Sequence, residues 1–242
     1  MIVAAHQPHY LPWLGYLHKV AECDLFVVMD DLQYEAQNFQ NRNRIKVNNG
    51  PLWLTVPLEK GPQNQIISDK RISNIQSGKE NWQRRTWETL KTHYGRSPYF
   101  QMYAPELEEI YSRHWEQLLE LDLYILRVML NWLGIRRPIV LASSLKLTGQ
   151  KTARIVDLCR KVGAHTYLSG AGGSRSYLEL DQFERAGVQV AWQEFSHPVY
   201  SQRYPACGFL SHLAAIDLLF NCGPASRRLL MGKEEVGREQ AV

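Results

Sequence analysis

The sequence predicts an α/β protein with a Rossmann-like, mostly parallel sheet and crossover helices, and three observations predict it. Residues 139–192 alternate short apolar strands with helical stretches, at the spacing that parallel strands joined by crossovers require. An apolar strand also opens the chain and runs straight into His6-Gln7-Pro8-His9-Tyr10-Leu11-Pro12-Trp13, a polar, ring-bearing, proline-stiffened run. Ligands of open α/β sheets bind at the carboxyl ends of strands, so this run reads as a site. Third, helical spacing dominates residues 82–134, which read as a helical cap inserted in a single domain of residues 1–232. Residues 233–242 form a charged tail.

Each element has its own warrant. Residues 2–5 (Ile-Val-Ala-Ala) form the opening strand, a helix follows the polar run, and residues 25–29 form a second strand ending in Asp30-Asp31. Residues 52–58 alternate and are β-branched, as a strand entered through Asn48-Asn49-Gly50 should be. Trp87, Leu90 and Tyr94 share a helix face, and Gly95 with Pro98 stops that helix. Pro105 is expected to open a long helical stretch that closes at Gly134. Strands are then expected at 139–142, 166–168 and 188–192, and helices at 152–162, 177–186 and 210–220.

Composition bounds the function. The 242 residues are 45% hydrophobic and 21% charged, as in ordinary globular proteins, and carry a formal charge of +4. The basic residues are scattered, which argues against nucleic acid as a partner. No apolar run approaches the roughly 20 residues of a membrane helix, and His6 and His9 interrupt any signal-peptide pattern. Cys23, Cys159, Cys207 and Cys222 show no C-x-x-C pair and read as reduced thiols. The expected compartment is the cytoplasm. Seven tryptophans and twelve tyrosines suit a pocket or an interface between copies equally, so a homo-oligomer stays open.

The candidate catalytic residues are His6 and His9, because neutral imidazole is the natural general base near pH 7. Gln7, Tyr10 and Trp13 would face the substrate, with Asp30 and Asp31 at the end of the second strand. Asn41, Arg42 and Lys46, in what reads as a loop, would clamp phosphate, since guanidinium forks match its oxygens. Ser169, Gly170 and Gly172 belong to a glycine-rich turn between a strand and a helix, suited to backbone donation to an anion, with Tyr177 beyond it. Tyr200, Gln202, Asp217 and Asn221 complete the substrate-binding set. Asp217 is flanked by Ile216, Leu218 and Leu219, so it must find a partner or a site, since burying it alone is expensive. Asp217 also reads as a brace for the N-terminal loop. No motif specifies a metal or cofactor.

The runs HQPHYLPWLGYLHK (6–19), DLFVVMDDLQY (24–34), NRNRIK (41–46), LTVPL (54–58), YLSGAGGSRSYL (167–178) and IDLLFNCG (216–223), with the Tyr200/Gln202 pair, resemble the WbqC-like family of bacterial proteins. That resemblance implies a cytoplasmic protein associated with O-antigen and other surface-polysaccharide biosynthesis, and chemistry on an activated or amino sugar. It brings no settled reaction. Ala171-Gly172-Gly173 departs from the bulkier or charged residue expected there. A weaker similarity, through Pro12, Gly15 and Tyr16, is to nucleotidylyltransferases, although their H-x-G-H signature is absent. The expected function is transfer of an acyl or glycosyl group on a nucleotide-linked sugar. The alternatives are a non-catalytic sugar-nucleotide binding protein and a nucleotidylyltransferase-like enzyme.

Overall fold

The computed structural model describes residues 1–74, 81–170 and 178–232. In chain order they form β1 (Ile2–His6), α1 (Leu14–Glu22), β2 (Leu25–Val28), β3 (Arg42–Val47), β4 (Gly50–Thr55), α2 (Trp82–Tyr94), α3 (Phe100–Ser112) and α4 (Leu118–Trp132). There follow β5 (Ile139–Leu141), α5 (Lys151–Val162), β6 (Thr166–Ser169), α6 (Leu180–Arg185), β7 (Gln189–Trp192), α7 (Ile216–Cys222) and α8 (Ser226–Met231). The tail at 233–242 lies outside the described residues.

Five strands build one sheet in the order β5-β2-β1-β6-β7, and every neighbouring pair is parallel. The expected α/β, Rossmann-like class is therefore what the chain adopts. Strand β1 is central: the chain winds outward through β2 and β5, then returns to lay β6 on the other side of β1. Val3 pairs with Leu25 on one flank and with Tyr167 on the other. The winding direction reverses between β1 and β6, the switch point at whose carboxyl-end crevice open α/β sheets bind ligands.

Side chains alternate across this sheet into two cores, which is why its strands read as unbroken apolar runs. Ala4, Phe26, Val28 and Leu168 face a large core shared with α1, α2, α3, α4 and α7. Val3, Ala5, Val27 and Tyr167 face a smaller one closed by Val156, Leu158 and Cys159 of α5 and Phe183 of α6. The helices of 82–134 lie in the β2-to-β5 connection and bury Leu90, Phe100, Leu107, Leu118 and Ile125 in the large core. They form a packed layer over the sheet.

Three local expectations are corrected. Residues 41–44 are not a loop: β3 pairs antiparallel with β4, Arg42 opposite Thr55 and Val47 opposite Gly50. The stretch after Pro105 is two helices, and Pro105 lies inside α3 instead of opening it. Between α3 and α4 the backbone is extended, because Ile72 N–H donates to Glu116 O at 2.8 Å and Leu118 N–H to Lys70 O at 3.0 Å. Trp115 is buried in that break, its indole donating to Ile110 O at 2.8 Å. Finally, helix α7 starts at Ile216, not at 210. The preceding amides are spent elsewhere: Leu210 N–H donates to Gln202 Oε1, Ala214 N–H to Arg44 O and Ala215 N–H to Pro12 O.

Candidate functional site

At the carboxyl ends of β1 and β6, His6 closes one strand and Ser169 the other. Since Ala4 pairs with Leu168, the two chains leave the sheet side by side. The segment after β1 turns at Leu11, whose φ of 45° is left-handed. Neighbours pin that turn: Asn43 Nδ2 donates to Leu11 O at 2.7 Å, Tyr10 N–H donates to Phe39 O at 3.0 Å, and Gln40 Nε2 donates to Gln7 Oε1 at 2.8 Å. Hairpin β3–β4 and residues 39–40 thus hold the loop in place.

Three rings gather there. His6 and His9 lie 4.7 Å apart between centroids, and Tyr16 of α1 stands 5.1 Å and 5.0 Å from them. His6 Nδ1 lies 3.1 Å from Gln7 O; a carbonyl only accepts, so the proton sits on Nδ1 and Nε2 keeps its lone pair. Burial, then the charge of Lys19, pushes the His6 pKa down to about 3. Burial, followed by His6 and Lys19, holds His9 well below the usual imidazole range. Both rings are neutral at pH 7.

Lys19, one turn of α1 beyond Tyr16, supplies the charge. It is only 6% exposed, and burial lowers its pKa to about 8. No described carboxylate forms an ion pair with it, and no described atom receives a hydrogen bond from it. A Cβ placed on Gly170 would come within 3.3 Å of Lys19 Nζ, so the ammonium faces the backbone just after β6. Ser169 Oγ, His9 Nδ1 and Tyr16 Oη are buried without a hydrogen-bond partner among the described residues. Folded proteins leave few such atoms, and three of them beside the Lys19 ammonium at one strand switch mark a candidate site.

Other predicted residues are committed elsewhere. Tyr10 does not face a substrate: it is fully buried and its hydroxyl meets that of Tyr111 at 2.8 Å. Trp13 lies over Gly15 and against Phe195 and His212. Asp30 accepts from Ser143 N–H at 3.0 Å and Ser143 Oγ at 2.6 Å, capping the turn after β5, and Asp31 pairs with Arg154. Asn41 joins Tyr34 Oη to Val56 O, while Arg42 donates to Gln37 O and lies 4.3 Å over Trp53. Asn41 and one terminal nitrogen of Arg42 in the predicted phosphate clamp are therefore taken up by internal contacts.

Lys46 donates to Gln202 Oε1 at 3.2 Å and, like Tyr94, Tyr200 and Gln202, belongs to the shell of Asp217. Asn221 Nδ2 donates to Asp217 O at 2.7 Å. These residues do come together, but as a mutually satisfied buried brace rather than a ligand surface. Gly172 and Tyr177 lie outside the described residues. His6, Gln7, His9, Ser169 and Gly170 remain at the crevice. Tyr16 and Lys19 join them unannounced, for in the sequence Lys19 resembles any solvated helix lysine.

Asp122 of α4 was also hidden in its apolar run. It is 1% exposed, neither oxygen has a partner among the described residues, and burial pushes its pKa well above the carboxylate range. A folded pKa above the unfolded value means that the carboxyl costs stability as pH rises toward the folded pKa. Asp122→Leu is expected to stabilise the protein by about 1–3 kcal/mol at pH 7 in urea unfolding, and by less near pH 4. A destabilised variant would show that the carboxyl is needed for the fold.

Among the described residues no helix is long and apolar enough to cross a membrane, and no three His, Cys, Asp or Glu residues are grouped to hold a metal ion. No solved structure matches the chain. The "Uncharacterized protein Rv1507c" of Mycobacterium tuberculosis (strain ATCC 25618 / H37Rv) is 33% identical over 226 residues, covering 91% of this chain and 94% of that protein. The model of the WbqC-like protein family matches residues 7–229, which include the segment that follows β1 from Gln7 through Lys19 and strand β6 of the switch; the chain belongs to the WbqC-like protein family.

Proposed function

We propose that the protein is a transferase acting on a nucleotide-linked amino sugar in bacterial surface-polysaccharide biosynthesis, moving an acyl or glycosyl group. One observation carries the reading: the buried, unpaired ammonium of Lys19 beside Ser169 and Gly170 at the switch point of a parallel sheet. A cation, a buried hydroxyl and backbone at a strand end are complementary to a diphosphate, and such crevices suit nucleotides. His6 Nε2, with its lone pair free, would take the proton of the acceptor's amine or hydroxyl as the new bond forms. Free imidazole this weakly basic is a poor base. An anion beside Lys19 would offset the charge that lowers His6, and so would raise its basicity when substrate is bound.

The low basicity of both imidazoles in the free protein supports a second reading, a non-catalytic sugar-nucleotide binder. Thermal shift in the presence of nucleotide-linked sugars, nucleotides and free sugars tests both, because a ligand of the folded state raises the melting temperature by mass action. Stabilisation by a nucleotide sugar, with turnover of a paired donor that His6→Ala abolishes, is the expected result. Stabilisation without turnover selects the binder. No stabilisation by any nucleotide sugar rejects both.

A further inference from the structure

We propose that the ε-amine of Lys19 is a nucleophile that forms an imine with a ketone carbon of the substrate, so that the site receives a keto sugar. The inference rests on the reading of the β1–β6 switch as a ligand site, adds a covalent step to it, and sets the sugar carbonyl instead of the diphosphate against Lys19 Nζ.

Three independent observations carry it. A lysine held for structural reasons is normally paired, yet this one is buried with no carboxylate or hydrogen-bond acceptor among the described residues. Its Nζ is directed at the crevice: among described atoms, only Nζ (3.3 Å) and Cε (3.8 Å) of Lys19 lie near the point where a Cβ on Gly170 would stand. Two neutral imidazoles close enough to feel its charge, with Cys23, are its titratable neighbours, and His6 keeps Nε2 unprotonated. Desolvation favours the free amine, the usual way a lysine is made nucleophilic.

The step balances without any oxidant or reductant. The free amine's lone pair forms the N–C bond while the carbonyl π electrons move to oxygen, giving a carbinolamine once a proton has passed from nitrogen to oxygen. His6 Nε2 is the group to relay that proton. Loss of the hydroxyl as water then leaves a C=N bond, so that ammonium and ketone together yield a protonated imine and one water.

Glyceraldehyde with cyanoborohydride is the probe, since reduction turns the imine into a stable secondary amine that peptide mass mapping locates. At pH 7, Lys19 is expected to be modified at least about tenfold faster than the exposed Lys60 and Lys91. Lys19→Arg should abolish the fast adduct. Gly170→Ala, a milder change in case the arginine variant does not fold, should slow it several-fold by crowding Nζ. Modification spread over exposed lysines with Lys19 untouched overturns the proposal. If that chain is still stabilised by a nucleotide sugar, the imine alone fails; if it is not, the whole reading of the site fails.

Discussion

Lys19→Met is expected to raise the stability of the unliganded protein at pH 7 while removing its response to anionic ligands. The fall of the Lys19 pKa from 10.5 to about 8 is a free-energy cost of folding. At about 1.4 kcal/mol per tenfold change in proton affinity, it amounts to about 3 kcal/mol. The sign follows from where the protons are: between pH 8 and 10.5 the unfolded chain binds more protons, so stability rises with pH across that window. Below pH 8 the cost is fully present. Methionine fills much the same volume without a charge, so melting should rise by roughly 5–10 °C at pH 7, with the gain shrinking toward pH 10. Thermal melts of both proteins at pH 7 and pH 10 check this. A variant that is less stable at pH 7 would mean that the ammonium has a structural partner. The same variant should show no thermal shift with any nucleotide sugar that stabilises the natural chain. Stability given up at a site is the usual mark of groups kept for binding.

How much of this was legible in the residues depended on whether burial followed an apolar pattern. The central strands did: β1, β2 and β6 are covered on both faces and read as apolar runs, so the parallel sheet and its order of strands and helices followed. Strand β3 did not. Its inward Asn43 is fully buried because Leu11 O accepts its amide proton, and its outward Arg42 and Arg44 lie against Trp53. Polar-apolar alternation shows only over Arg44-Ile45-Lys46-Val47, too short a stretch to mark the strand from its start. The start of α7 was hidden for a similar reason: amides at 210–215 bond to distant segments, and local spacing does not encode distant bonds. The shared placement of His6, Gln7, His9, Ser169 and Gly170 was legible because they end or follow strands. Lys19 and Asp122 were not, since only tertiary packing tells a buried unpaired charge from an ordinary helix residue.

Asp217→Ala is expected to cost about 3–5 kcal/mol, the reverse of Asp122→Leu although both carboxyls are buried. The difference lies in their partners. Asp217 Oδ2 accepts from Tyr94 Oη at 2.7 Å, and Oδ1 accepts from Tyr200 Oη and Gln202 Nε2, each at 2.9 Å. Burial raises its pKa, while those three donors and the charge of Lys46 pull it back. Alanine would strand three donors and leave Lys46, 1% exposed, without the carboxylate whose charge it faces. Tyr94 Oη also accepts from Lys46 N–H at 2.9 Å, so the loss would reach β3 and, through Asn43, the turn at Leu11. Asp217→Asn keeps one acceptor oxygen for Tyr200 and Gln202 and should recover part of the loss. Urea unfolding of the two variants separates hydrogen bonding from charge, and a loss below about 1 kcal/mol in the alanine variant would contradict the brace. If the brace holds, Asp217 acts on the crevice only by fixing the loop that carries His6 and His9. On the proposed reading, Lys19, unpaired among the described residues and beside Gly170, is then the group that a ligand meets directly.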